Sequence, residues 1–330
     1  MTGAGLVGRT PRSARDALVP LPERRYEHLV RCERADEGVG RGPGGPPYHL
    51  MILLLLAAPA LAQGFEDLKF EHLADGYRFT EGAAWSKEGG YLVFSDTPSD
   101  RLLKWVPGTE ITVYRTDAHG PAGNAFDAQG RLYTCETRTR RVTRTDKNGK
   151  IEVLAQSWEG KRLNAPLQIV VSRNGHVYFT DPAFGEQSDR RELDFHGVYH
   201  IPPKGPMTLV AKSDTRPRGI ALSPNGRTLY VSNADEHNIR AWDVERDGTT
   251  ANERVLAAKI EGAPAGIAVD AEGNLWVAAK GIVVYSPEGK RVHRIGLTEV
   301  VSSLAFGESD MKALFLTARG LVLRARADTQ

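Results

Sequence analysis

Cysteine is almost absent from this 330-residue chain, which has only Cys32 and Cys135. The first lies in an N-terminal segment without apolar periodicity that is expected to stand outside the mature protein, which then keeps only Cys135, so an internal disulfide is excluded. Cys135, in the apolar alternation Leu132-Tyr133-Thr134-Cys135, is expected to be packed rather than reactive. Long apolar runs are missing too. The longest, MILLLLAAPALA from Met51 to Ala62, falls short of the roughly 20 residues that a membrane-spanning helix needs. It ends in Ala60-Leu61-Ala62, the small-x-small pattern of signal-peptidase sites, and so predicts a signal peptide over 51–62 and a periplasmic or secreted product. Residues 1–50 carry Arg, Gly and Pro without apolar periodicity and are expected to stand outside the fold as a leader. Their Gly40-Arg41-Gly42-Pro43-Gly44-Gly45 matches GxGxxG, but no strand precedes it and no helix pattern follows, so it is not a dinucleotide site.

Net charge is the next absence. Eight of the 43 basic and six of the 41 acidic residues fall within Met1–Ala62, which leaves 35 of each from Gln63 onward. A domain of zero net charge has little long-range pull on nucleic acid or anionic membranes, so the expected partner is a small molecule. The chain has no GxSxG, which argues against a serine nucleophile on a strained turn, and no HExxH or paired metal spacing. His119, His176, His196, His200, His237 and His293 are scattered and are expected at the surface or in loops.

What the chain does have is a repeat. A Gly turn followed by an apolar strand recurs as SKEGGYLVFSD from Ser86, DAQGRLYTCE from Asp127, SRNGHVYFTD from Ser172, SPNGRTLYVSN from Ser223, DAEGNLWVAA from Asp270 and GESDMKALFLTA from Gly307. The six copies are spaced by 37 to 51 residues, the size of a four-stranded propeller blade. Second hairpins lie between them at TDKNGKIEVL, VERDG and YSPEGKRV. The fold predicted for 63–330 is therefore a single all-β domain, a six-bladed β-propeller. Its last repeat, Val300 to Arg326, lacks one strand, and Phe65 to Leu73 offers one, so pairing the two would close the ring. A seven-bladed WD-repeat propeller is the rival, but Gly175-His176 and Trp242-Asp243 each occur once and out of place.

The ordered motifs EGAAW at Glu81, FDAQGRLYTCE at Phe126, GKRLNAP at Gly160, VYFTDPAFG at Val177, GIALSPNGRTLYVSN at Gly219 and GIAVDAEGNLWVAA at Gly266 resemble the gluconolactonase, senescence-marker and luciferin-regenerating family over nearly all of Phe65 to Arg326. The resemblance implies a divalent cation, calcium or zinc, at the propeller axis, held by a Glu, an Asn and an Asp and polarising a lactone carbonyl for attack by water. Glu81 matches the family's glutamate. Where the family has Asn-Asp after the Arg162-Leu163-Asn164-Ala165-Pro166 run, this chain has Leu167-Gln168. Where it has Pro-Asn-Gly, this chain reads Pro217-Arg218-Gly219, and where it has Pro-Asp-Gly, Pro264-Ala265-Gly266. A guanidinium cannot ligate a cation and alanine offers no oxygen, so Glu81 is the only matching metal ligand, and Arg218 is expected to replace the lost cation and pair with Glu81.

Two functions stay open. One is a lactone or ester hydrolase with an altered ligand set, and the other a propeller that binds a small sugar acid without catalysis. Further channel candidates are Asn124, Asn164 and Asp181, each of which also suits a turn-holding role; Asp96 and Glu136, at strand ends, are equally ambiguous. The run Arg138 to Arg144 predicts a solvated outer strand rather than a nucleic-acid site.

Overall fold

The computed structural model describes residues 68–184 and 186–326 together with the backbone of Val30–Cys32, so the Met51–Ala62 run lies outside the described residues. Six four-stranded antiparallel sheets make the predicted propeller. The first blade runs through Thr80–Ser86, Tyr91–Asp96, Arg101–Trp105 and Thr112–Arg115. Blades two to five begin with the inner strands Pro121–Phe126, Ile169–Val171, Pro217–Leu222 and Ile267–Val269. The sixth takes Val301–Gly307, Ala313–Ala318 and Leu321–Arg326 from the end of the chain and its outer strand, Lys69–Ala74, from the beginning. Lys69 pairs with Arg326 and Phe70 with Ala325, so the ring is closed as expected. Three residues of the segment expected to stand outside the fold, Val30–Cys32, add a fifth strand at the outer edge of blade five by pairing with Arg291–Leu297.

The repeated turn has a local cause. Asp127 Oδ1 accepts the N–H of Arg131 at 2.9 Å, Asp270 Oδ1 that of Asn274 at 2.7 Å, and Ser172 Oγ that of His176 at 2.8 Å. The glycine three residues on has φ of +74° at Gly130 and +91° at Gly273, where a side chain is disfavoured. Hence Asp/Ser-x-x-Gly recurs in the sequence.

Second strands such as Val177–Asp181 and Leu275–Ala279 are buried along their whole length, because neighbouring blades cover both faces. Six apolar clusters fill the six blade interfaces. Across the closure, Trp85 of blade one stacks on Phe315 of blade six with ring centroids 5.4 Å apart, and burying one side chain of this size contributes about 1.5–3 kcal/mol. Cys135 packs between blades two and three, where burial pushes its thiol well above the ordinary value.

Candidate functional site

The inner strands surround the axis, each packed against the next. Near their starts stand Glu81, Ala122, Leu167, Arg218, Ala265 and Ser302 at equivalent positions, and backbone contacts fix that equivalence. The carbonyls of Ala122, Arg218 and Ala265 accept hydroxyl hydrogen bonds from Ser95, Thr180 and Ser232 of the preceding blade at 2.7, 2.8 and 2.6 Å. Those of Leu167 and Ser302 accept the N–H of Gly123 and Gly266, again from the preceding blade, at 2.6 and 3.1 Å. Adjacent strands come so close that a Cβ on Gly219 would lie 2.1 Å from the Ala265 carbonyl oxygen. This explains the glycine that follows four of the six ring positions.

Glu81 is 6% exposed. The Thr97 hydroxyl lies 2.9 Å from Glu81 Oε1 and 2.6 Å from the Pro121 carbonyl oxygen. Its single proton cannot serve both. The carbonyl and the Glu81 carboxyl oxygen both accept, so the hydroxyl serves one of them at a time. Burial pushes Glu81 upward, opposed by the Thr97 hydrogen bond and by the charge of Arg218.

Arg218 is half-buried, and its side chain donates no hydrogen bond and forms no ion pair among the described residues. The expected direct pair with Glu81 is not formed. The two act on one another through space, since Glu81 is held at Thr97 while the Arg218 guanidinium lies 6.0 Å from the Phe184 ring centroid. The Arg216 guanidinium lies 4.8 Å from the same ring. Arg216 is committed to Asp235, with Nε 2.9 Å from Oδ2 and the backbone N–H 2.9 Å from that same oxygen.

Phe184 belongs to an excursion, residues 182–195, between the second and third strands of blade three. Blades one, two and four use only four residues there, 97–100, 137–140 and 234–237. The excursion is tied down where the Ala183 N–H donates to His196 Nδ1 at 3.2 Å and where the Lys212 ammonium sits 4.7 Å over the Phe195 ring. Phe184, Arg216 and Asp235 were not legible as site residues, although the signal existed: the longest interval between repeats, Ser172 to Ser223, is the one that holds the excursion.

The other candidates hold backbone. Asn124 Nδ2 donates to the Gly82 carbonyl at 2.9 Å and to Ser95 Oγ at 2.8 Å, tying blade two to blade one. Asn164 Nδ2 donates to the carbonyls of Asp181 and Phe195 at 3.0 and 2.9 Å. Asp181 accepts the N–H groups of Asn164 and Ala165, and the Gln168 N–H donates to the Thr180 hydroxyl while the Gln168 carbonyl accepts the Thr180 N–H. Asp96 and Glu136 are fully buried and bound by Arg101 and by Arg115 with Arg141. The Arg138–Arg144 run departs from expectation: Arg141–Thr145 is a third strand, covered by Ile151–Ala155, because its cations have partners. Arg141 pairs with Glu136, Arg138 with Asp100, Arg144 with Glu152 and Arg140 with Glu192. The histidines also depart, since His176, His196 and His200 are buried.

The donor set does not fit a calcium or zinc ion. Such an ion needs several oxygen, nitrogen or sulfur ligands, and beside the Glu81 carboxyl the ring presents a guanidinium at 218, apolar side chains at 122, 167 and 265, and at 302 a hydroxyl already engaged at the carbonyls of Thr80 and Thr317. Among the described residues no group of three or more His, Cys, Asp or Glu is placed to hold a metal.

Residues 79–320 match the SMP-30/Gluconolactonase/LRE-like region profile. A gluconolactonase from Zymomonas mobilis is 30% identical over 290 residues, covering 78% of this chain and 81% of the relative. The pentonolactonase XacC of Haloferax volcanii is 25% identical over 256 residues, covering 74% and 82%. Among solved structures, a gluconolactonase from Xanthomonas campestris superposes with a TM-score of 0.76 at 34% identity, over 82% of this chain and 93% of that one.

Proposed function

Since the chain belongs to the SMP-30/gluconolactonase/LRE-like family, we propose that it binds a small sugar acid or related lactone at the propeller axis, anchored by Arg218 and without metal-dependent catalysis. The observation that carries this reading is the Arg218 guanidinium, placed at a ring position with its donors uncommitted among the described residues. A guanidinium suits a carboxylate bidentately, and each hydrogen bond to a charged group contributes about 1.5–3 kcal/mol. The apolar run Met51–Ala62 supports export of the protein to where such ligands would be met, and a mature N terminus at Gln63 would bear this out.

A second reading, lactone or ester hydrolysis with an altered ligand set, is favoured by the two lactone-hydrolase relatives at 30% and 34% identity. Calorimetric titration with gluconate in the presence of EDTA, run beside a gluconolactone hydrolysis assay with calcium, zinc or manganese, separates the two. The expected result is gluconate binding that survives EDTA and is lost in Arg218→Leu, with no metal-stimulated turnover. Tight metal binding, with turnover abolished by Glu81→Gln, would establish the hydrolase instead.

A further inference from the structure

Arg216 and Arg218 flank Pro217, the first residue of the fourth blade's inner strand. Both guanidiniums lie beside the Phe184 ring, at 4.8 and 6.0 Å. Two free guanidiniums so placed would suit a dianion such as a phosphate monoester. They are not both free.

Asp235 holds Arg216 through Nε, Nη2 and the backbone N–H. Asp235 is itself fixed, because its N–H donates to Asn233 Oδ1 at 3.1 Å in the tight turn that follows the second strand of blade four. Phe184 brings no charge and Glu81 brings no positive charge. Arg191, with Nη1 3.4 Å from His196 Nε2, is the charge that acts most strongly on His196, ahead of Asp235, Arg216 and Asp214, and it contacts that ring rather than Phe184.

We propose that Asp235 sets the charge class of the ligand: by engaging Arg216 beside Phe184 it leaves Arg218 as the free guanidinium of the pair, so the site takes monocarboxylates and rejects sugar phosphates. A carboxylate brings one negative charge to one cation. A phosphate monoester brings about −1.5 to −2 at neutral pH, and the excess meets Asp235. The inference rests on the Arg218 anchor proposed above.

The test titrates the full chain with gluconate and with glucose 6-phosphate, probes that each carry one kind of anionic group. Wild type is expected to bind gluconate at least tenfold more tightly. Asp235→Asn, with Asp235→Ala as the alternative should the first unfold, is expected to shift that ratio at least tenfold toward the phosphate by freeing Arg216. Adding Arg216→Gln to either is expected to cancel the shift. A wild-type preference below tenfold overturns the proposal whatever the variants do. So does an unchanged ratio in a folded Asp235 variant. If Arg218→Leu binds gluconate as wild type does, the anchor itself is wrong, an outcome that separates failure of the underlying reading from failure of the selectivity device.

Discussion

The carboxylate of Asp181 holds the chain that leads into the third inner strand, accepting the N–H of Asn164 at 2.7 Å and of Ala165 at 2.8 Å with its two oxygens. Asp181 is fully buried. Removing it leaves two buried N–H groups without partners, each costing about 1–3 kcal/mol. Asp181→Ala is therefore expected to lower the free energy of unfolding in urea by about 2–5 kcal/mol. Burial raises the carboxyl from the ordinary 3.8 to about 7, with the two N–H groups and Arg140 opposing. A raised value means that the folded state binds the proton more tightly than the unfolded one. This contribution is complete below 3.8 and is lost as the pH rises through about 7. Asp181→Asn should flatten the stability profile in that window. An unchanged slope would show that Asp181 does not titrate there.

His176 and His200 give the opposite sign. His176 Nδ1 lies 2.8 Å from His200 Nε2, so one proton lies between the two rings, and His200 stacks on Tyr178 with centroids 4.8 Å apart. Burial pulls His200 down to about 4, helped by the neighbouring His176 and opposed by Asp247, and it pulls His176 down as well. For a histidine with a depressed value, stability is present above the unfolded value of 6.5 and is lost as the pH falls through about 4. Thermal unfolding between pH 7 and pH 4 should show this acid loss in wild type. The double substitution His176→Phe with His200→Phe should remove it, and a loss that persists in the double variant would move the acid-sensitive group elsewhere.

These residues also show what could be read in advance. The turn code at Asp127, Ser172 and Asp270 is local: the side chain that caps and the glycine that turns lie within four residues, so blade number and ring closure were legible from spacing. The ring positions 81, 218 and 265 were legible only through the family resemblance, whose motifs keep after each of them the glycine that close strand approach requires. The His176–His200 bond was not, since it depends on the register that sets Tyr178 opposite His200 and His176 on the diagonal. Nor was the separation of Glu81 from Arg218. Charge balance suggested a pair, but the partners that decide the geometry, Thr97 and Phe184, lie in a turn and an excursion that carry no period.

Close approach at the axis makes a steric prediction. A Cβ at residue 219 would sit 2.1 Å from the Ala265 carbonyl oxygen, 2.9 Å from Gly266 Cα and 3.0 Å from the Ala265 carbonyl carbon. All three are backbone atoms on the next blade, so relief requires moving an inner strand that the Ser232 hydroxyl holds at that same carbonyl. Gly219→Ala is expected to cost about 3 kcal/mol or more, at or above the upper end for overpacking. Gly226→Ala is the comparison, since nothing lies within 4 Å of its Cβ and its cost should come only from the positive φ of +70°. Equal losses in chemical denaturation would mean that the inner ring adapts more readily than its packing implies.

The absence of a metal-binding donor set can be tested by building one. Ala265 and Arg218 occupy ring positions equivalent to that of Glu81, and Leu167, at the entry to blade three, stands next to Arg218 in the ring order. Arg218→Asn removes the cation that would repel a divalent ion and supplies an amide oxygen. Ala265→Asp supplies a second carboxylate, and Leu167→Asn a further amide, so the triple variant offers a hard ion four carboxylate or amide side chains where wild type has one. It is expected to gain calcium binding, read by calorimetry and by a rise in unfolding temperature of several degrees at millimolar calcium, following the mass-action rule that a ligand of the native state stabilises it. Wild type and Arg218→Asn alone should show neither. The variant should at the same time lose gluconate binding that persists in EDTA, because its guanidinium anchor is gone. Should the folded triple variant fail to bind calcium, zinc or manganese, then these side chains do not converge on one point at the axis, and the equivalence of the ring positions would hold for the backbone alone.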